Sequence, residues 1–347
     1  MTATTLFGLE PLLKNELENI HANKIQVGNR CVYFSGGKEL MYRANIQLRT
    51  ALKILKELSV FKAKNENELY KNVSRIKWFK ILDNSKTFSI TSTVNSQYFT
   101  HSNYVALVTK DAIVDQFRKK YNKRPSIDLK NPDFNIHIHV SNNNCSISLN
   151  SSGPSLHKRG YRTNRFTAPM NEVLAAGMVL FSGWNKRHDL INPMCGSGTL
   201  AIEAGLIAKN IAPNIYREKF SFQNWNDYNE SLLKNIKVDI KNQEVCFTKQ
   251  IIGFDISASA IAMAKQDVER MKLNDVVKIK GKNFFQSTGK DNCIVLINPP
   301  YGKRIILKKD YYKQIGDTLK QNYLNTNAWI ISSELEQLKT IGLRPSK

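Results

Sequence analysis

Acidic side chains are scarce in this chain. Asp and Glu number 29 against 51 Lys and Arg, which leaves a formal net charge of +22 over 347 residues. Such an excess argues against a basic partner and points to a polyanion: RNA, DNA or an anionic membrane surface. The shortage is uneven. Up to Arg165 there are 26 basic and 12 acidic residues, and after it 25 and 17. The N-terminal half is therefore the expected electrostatic handle.

Long hydrophobic runs are also missing. The longest apolar-looking stretch, Val173 to Trp184, is too short to span a bilayer. The opening residues MTATTLFGLEPLLKNELENI have no basic n-region and carry Glu10 early. Cys31, Cys145, Cys195, Cys246 and Cys293 are odd in number and include no C-x-x-C pair. That excludes a disulfide scaffold and a cysteine-built zinc site. No membrane partner and a cytoplasmic protein with reduced thiols are the expectation. His137 and His139 alternate on one strand face, but no third ligand accompanies them, so no metal is expected.

The length favours two or three domains, and no internal repeat is present. Residues 1–62 suggest a small α+β unit. Leu9, Leu12, Leu13, Leu17 and Ile20 have helical spacing, CVYFSG fits a strand, and KELMYRANIQLRTALKILKEL fits one helix. Residues 63–152 form a second unit, with strands at TFSITSTV, FNIHIHV and CSISLN and a hairpin turn at SNNN. Its long amphipathic helix, NYVALVTKDAIVDQFRKKY, runs into Arg118, Lys119, Lys120, Lys123 and Arg124. A linker over 153–170 follows. Its SGPSLHKRGYR stretch holds Lys158, Arg159 and Arg162, and fits either a solvated hinge or a strip touching nucleic-acid backbone. From 171 to 347 helix and strand alternate, the pattern of a doubly wound α/β domain.

Three motifs in that last domain carry chemistry. NPMCGSGTLAIEA places a glycine turn between a strand and a helix, where backbone can approach a cofactor closely. Cys195 in it is a possible nucleophile on paper, but no His or Lys stands nearby in sequence, so a packed loop cysteine is expected. IIGFDISASAIAMA ends a second strand on Asp255. A carboxylate there can accept from two ribose hydroxyls. Asp255, Ser257 or Ser259 can also cap the following helix, and the two roles are compatible. CIVLINPPYG ends a third strand on Asn298, Pro299, Pro300 and Tyr301. Each proline forces its predecessor out of the helical region, and neither has an N–H for a sheet ladder. The product is a rigid hook with two outward carbonyls, one from the Asn298 side chain and one from the Pro299 backbone. Together they can hold both hydrogens of an exocyclic amine while Tyr301 stacks on its ring. The KRIILKK stretch after it, Lys303 to Lys309, offers phosphate contacts.

INPMCGSGT with INPPYG resembles the class I S-adenosylmethionine-dependent amino-methyltransferases. AIVDQFRKKYNKRPSID, HKRGYR and APMNEVLAAGMV narrow the resemblance to THUMP-domain RNA methyltransferases, in particular the bacterial 23S rRNA guanine-N2 group, over nearly the whole chain. The resemblance implies a ferredoxin-like domain, a THUMP RNA-binding domain and a Rossmann-like catalytic domain. It implies that Asn192, Cys195, Gly196 and Gly198 line the methionine part of S-adenosylmethionine. It also implies that Asp255 holds the ribose, that Asn283 and Phe284 flank the adenine, and that Asn298, Pro299, Pro300 and Tyr301 hold the target base. The family usually has Asp where this chain has Asn192 and often where it has Asn283; each swap keeps a carbonyl acceptor and drops a charge. It also implies a closing antiparallel hairpin, whereas this sequence stops soon after AWIISS. The expected function is methylation of guanine N2 in 23S rRNA or its precursor. The alternatives are adenine-N6 methylation of RNA or DNA, or a non-catalytic RNA-binding assembly factor.

Overall fold

The computed structural model describes residues 1–162, 169–300 and 310–346. Tyr301 and the basic stretch Lys303 to Lys309 lie outside the described residues. The chain divides into two compact units, Met1–Lys158 with Asn214–Asp239, and Arg159–Pro213 with Ile240–Lys347.

The first unit is built on one eight-stranded mixed sheet. Its elements run β1 (Thr2–Thr4), α1 (Glu10–Asn19), β2 (Asn23–Gly28), β3 (Cys31–Ser35), α2 (Lys38–Gln47) and β4 (Lys53–Lys62). Then come α3 (Glu66–Arg75), β5 (Thr87–Asn95), α4 (Ser102–Tyr121), β6 (Ser126–Ile127), β7 (Phe134–Ser141) and β8 (Asn144–Asn150). The strand order is β2-β3-β1-β4-β8-β7-β5-β6, so the ferredoxin-like and THUMP regions share a sheet, joined where β4 pairs antiparallel with β8. Strict alternation builds β7: Phe134, Ile136, Ile138 and Val140 are buried and the residues between them are not. α4 buries Val105, Thr109, Ala112, Ile113 and Phe117 along one stripe and stops where Asn122 turns left-handed, at φ 52°.

The single helix expected over KELMYRANIQLRTALKILKEL is corrected here. The helix ends at Gln47, and Lys53–Lys62 is a strand. Leu, Lys and Glu favour helix, but β4 bonds to β1 on one edge and β8 on the other, and that pairing overrides propensity. Nor is the SGPSLHKRGYR linker a solvated hinge: Leu156, Arg159 and Tyr161 are all buried.

Asn214–Asp239 folds with the first unit, although it falls within the stretch read as catalytic domain. Phe222 stacks on Tyr42 at 4.2 Å between ring centroids, with Phe220 beyond it. Arg217 donates to the carbonyls of Ser152, Pro154 and Ser155, and Arg43 meets Asp239 at 2.6 Å.

The second unit is a five-stranded, all-parallel sheet. It opens with α5 (Glu172–Phe181), β9 (Leu190–Pro193) and α6 (Thr199–Ala208). After the Asn214–Asp239 excursion, which holds most of α7 (Glu230–Asn242), it continues through β10 (Ile251–Asp255), α8 (Ala258–Arg270), β11 (Val277–Gly281), β12 (Ile294–Ile297), α9 (Tyr311–Asn322) and β13 (Asn327–Ile330). The strand order β11-β10-β9-β12-β13 reverses direction between β9 and β12, the switch point where doubly wound sheets open a crevice. Every residue of β9 and β12 is buried, as expected for strands covered on both faces.

Phe222 is fully buried in an aromatic stack. Phe222→Ala is expected to lower the unfolding free energy of the first unit by about 3–5 kcal/mol. Urea denaturation followed by tryptophan fluorescence measures this, and a loss under about 1 kcal/mol would mean the segment is not part of that core.

Candidate functional site

β9 and β12 pair only at Leu190↔Ile294 and Ile191↔Val295. Beyond those two pairs their carboxyl ends separate, and the Asn192 side chain spans the gap by donating Nδ2–H to the Leu296 carbonyl at 2.8 Å. A carboxylate could not donate that bond, which gives a local reason for the amide at this position. The Oδ1 of Asn192 is buried with no hydrogen-bond partner among the described residues. An unpaired buried acceptor costs about 1–3 kcal/mol unless a ligand satisfies it.

The chain next turns sharply. Met194, Gly196 and Gly198 all have left-handed φ, at 56°, 50° and 76°. Gly198 is required, because a Cβ there would meet the Ala264 Cβ at 2.9 Å as well as the strained backbone. A Cβ on Gly196 would project into open space, so that glycine leaves room beside the turn. The turn delivers α6 with no side-chain cap, and the amides of Thr199, Leu200 and Ala201 find no acceptor among the described residues. Such a helix start attracts anionic groups.

A cavity opens at this point. Asn192, Met194, Cys195, Gly196, Thr199 and Asn298 line it, together with Pro169 and Met170. The glycine turn and Asn298, the first residue of the hook, therefore share one cavity. Pro299 is buried, Pro300 half-buried, and the buried Asn298 Oδ1 has no partner among the described residues. Asp255 stands at the end of the neighbouring strand, its two oxygens fixed by the Gly196 and Ser257 amides at 2.9 Å each. Each oxygen keeps a lone pair for a further donor. Ser257 caps α8, so the carboxylate and the capping serine do coexist.

These groups fit S-adenosylmethionine. The uncapped helix start suits its carboxylate, the orphaned Asn192 Oδ1 suits its ammonium, and the anchored Asp255 suits its ribose hydroxyls. The Cys195 thiol is pushed up to about 12 by burial and by nearby Asp255. That shift opposes the thiolate a covalent role would need.

Two of the expected roles need correction. Arg159 cannot reach RNA: its side chain is fully buried and pairs with fully buried Glu203 on α6 at 3.4 Å. Arg162 turns inward as well, meeting Glu172 on α5 at 3.1 Å and donating to the Met170 carbonyl and Thr199 Oγ1 at 2.6 Å each. Phe284 commits its ring to the core against Tyr323, so any adenine contact there runs through its backbone. Asn283 accepts from the Phe285 amide, which leaves its own Nδ2 free to donate. Arg118, Lys119, Lys120, Lys123, Arg124 and Lys158 are exposed, and Lys120 lies 3.4 Å over the Phe79 ring. His137 bonds Thr91, and burial pushes its imidazole down to about 4. Among the described residues no group of three His, Cys, Asp or Glu could hold a metal, and no helix is long and apolar enough to cross a membrane.

Several residues escaped the sequence reading. Pro169 and Met170 line the cavity, and Tyr311 donates to Met194 Sδ at 3.3 Å. Ile256, beside Asp255, is 77% exposed and offers an apolar face. Its signal was available: an isoleucine that leaves a buried strand without entering the core.

Residues 159–347 match the RMKL-like methyltransferase domain family, residues 63–150 the THUMP domain and residues 1–55 the RlmL ferredoxin-like domain. A Synechocystis protein named as a candidate RNA methyltransferase, slr0064, is 35% identical over 99% of this chain and 91% of its own length. The Ribosomal RNA large subunit methyltransferase K/L of Buchnera aphidicola from Acyrthosiphon pisum is 35% identical over 95% of this chain and 49% of its own. The chain thus spans about half the length of that relative. Among solved structures, the candidate methyltransferase SMU.472, complexed with S-adenosylhomocysteine, has TM-score 0.87 and 29% identity, covering all of this chain and 92% of its own. A Listeria monocytogenes protein whose name assigns it as an N6-adenine-specific DNA methylase by prediction has TM-score 0.89 and 27% identity, with the same coverage.

Asp255→Asn replaces one acceptor oxygen by an NH2 that opposes the Gly196 or Ser257 amide. S-adenosylhomocysteine affinity, measured by calorimetry, is expected to fall at least about tenfold, the worth of one charge-assisted hydrogen bond. An unchanged affinity would remove Asp255 from the cofactor site.

Proposed function

The chain belongs to the RMKL-like family of S-adenosylmethionine-dependent methyltransferases that carry a THUMP domain, and from that premise we propose that it methylates the exocyclic N2 of a guanine in 23S rRNA or its precursor, in the cytoplasm. The observation that carries the reading is the unpartnered Asn298 Oδ1 in the cavity lined by the glycine turn. No donor among the described residues reaches this acceptor, and it stands at the sheet edge where a cofactor and a base can meet.

The chemistry divides simply. S-adenosylmethionine, when bound, supplies a methyl group on a sulfonium, so the chain's residues supply placement and electrostatics. Asp255 holds the ribose end. The exposed basic residues Arg118, Lys119, Lys120, Lys123, Arg124 and Lys158 contact RNA phosphates. The guanine turns out of its stack, which costs on the order of a few kcal/mol. Asn298 Oδ1 and the Pro299 carbonyl accept its two amino hydrogens and aim the nitrogen lone pair along the transfer direction. As nitrogen gains positive charge in the transition state, both hydrogen bonds strengthen, so their effect falls on turnover rather than on ground-state binding. Stacking on Tyr301 offsets roughly 1–3 kcal/mol of the flipping cost.

Adenine N6 presents the same two hydrogens, and the name of the Listeria neighbour assigns N6-adenine activity to that protein. Nucleoside mass spectrometry decides between them. rRNA from a strain lacking this gene, incubated with the protein and S-adenosylmethionine, is expected to gain N2-methylguanosine. N6-methyladenosine would transfer the reading to adenine. In the same assay Asn298→Ala is expected to lower kcat by about 10²–10³ and leave RNA affinity within twofold; an unchanged kcat would overturn the hook.

A further inference from the structure

The two inward arginines of the strap after Lys158 have no part in the transfer described so far. Arg159 is spent on Glu203, deep under α6. Arg162 ends at the cavity wall, and its contacts there are specific. One terminal nitrogen pairs with Glu172, whose side chain is 4% exposed. The other donates to both the Met170 carbonyl and Thr199 Oγ1, and both of those residues line the cavity. Burial pushes the Glu172 carboxyl up to about 7, with Arg162 opposing that shift.

The bond to Thr199 has a consequence for the hydroxyl. A threonine oxygen that accepts from a guanidinium directs its own proton elsewhere. Among the described residues its other polar neighbour is Ser197 Oγ, at a long 3.4 Å. Thr199 is also the first residue of α6, beside the unpaired amides of the helix start, and is 3% exposed. A buried O–H donor therefore stands with free backbone donors on the wall that holds the orphaned Asn192 Oδ1.

We propose that Arg162 is a positioning residue that fixes the Thr199 hydroxyl as a donor to the carboxylate of the amino-acid end of S-adenosylmethionine. The inference rests on that cofactor occupying the cavity. Its immediate ligand is the carboxylate, recognised by Thr199 and the amides of the α6 start, while Arg162 acts through Thr199 and is held by Met170 and Glu172. Glu172 in turn holds the guanidinium so that it does not swing into the cavity and neutralise the carboxylate directly.

Calorimetry with two ligands tests this. S-adenosylhomocysteine carries the amino-acid end, and 5′-methylthioadenosine lacks it. Thr199→Val, which is nearly isosteric and leaves the Arg162–Glu172 pair intact, is expected to weaken S-adenosylhomocysteine roughly tenfold and leave 5′-methylthioadenosine within twofold. Arg162→Ala is expected to show the same selective loss, and Arg162→Ala with Thr199→Val no more than the larger single loss, because both act through one hydrogen bond. Arg162→Lys, which retains a donor, is expected to recover part of it. Equal weakening of both ligands, or no change in Thr199→Val, would overturn the proposal. If the native protein bound neither ligand, the cofactor reading itself would fall.

Discussion

The parting of β9 and β12 after two residue pairs is the constraint on which the site depends. Had the ladder continued, the Leu296 carbonyl and the end of β9 would have closed on each other with no crevice. Instead the Asn192 amide takes the Leu296 carbonyl and holds the strand ends apart at a fixed spacing. The glycine turn leaves from one strand end and the Asn-Pro-Pro hook from the other, so a cofactor and a base can be offered to one another. Gly198 and Gly253 then let the turn settle against its neighbours: a side chain on Gly198 would strike Ala264, and one on Gly253 would strike Ile279 and crowd Cys195.

The same arrangement leaves the cavity rich in unmet polar groups. Asn192 and Asn298 present acceptors, and α6 presents donors. Such groups oppose stability in the free protein, and functional sites tolerate that opposition because ligands satisfy it. Rigidity comes from the surroundings: a packed core under the strand ends, two backbone amides on Asp255, the buried Arg159–Glu203 pair and the half-buried Arg162 paired with Glu172 on α5.

What could be read from the sequence followed from local chemistry. Two prolines after an apolar run specify a rigid strand end wherever they occur. The helix–strand alternation after Asn171 needs only periodicity, and with the three motifs it placed β9, β10 and β12, the strands that end at the site. What could not be read depended on distant partners. Arg159 looks like its basic neighbours until Glu203, 44 residues on, buries it. Lys53–Lys62 has helical composition and becomes a strand because β1 and β8 flank it. Phe284 and Phe285 are adjacent aromatics of equal promise, and only packing against Tyr323 commits the first to the core. The Asn214–Asp239 excursion gives no compositional sign of the unit it joins.

If the Asn298 carbonyl is kept for a ligand rather than for the fold, removing it should not weaken the free protein. Thermal unfolding of Asn298→Ala beside the native chain, with no ligand present, measures this directly. The account predicts a midpoint unchanged within about 2 °C or raised, since an unpaired buried acceptor is lost. A midpoint lowered by more than about 4 °C would show that Asn298 serves the fold, and would contradict the hook.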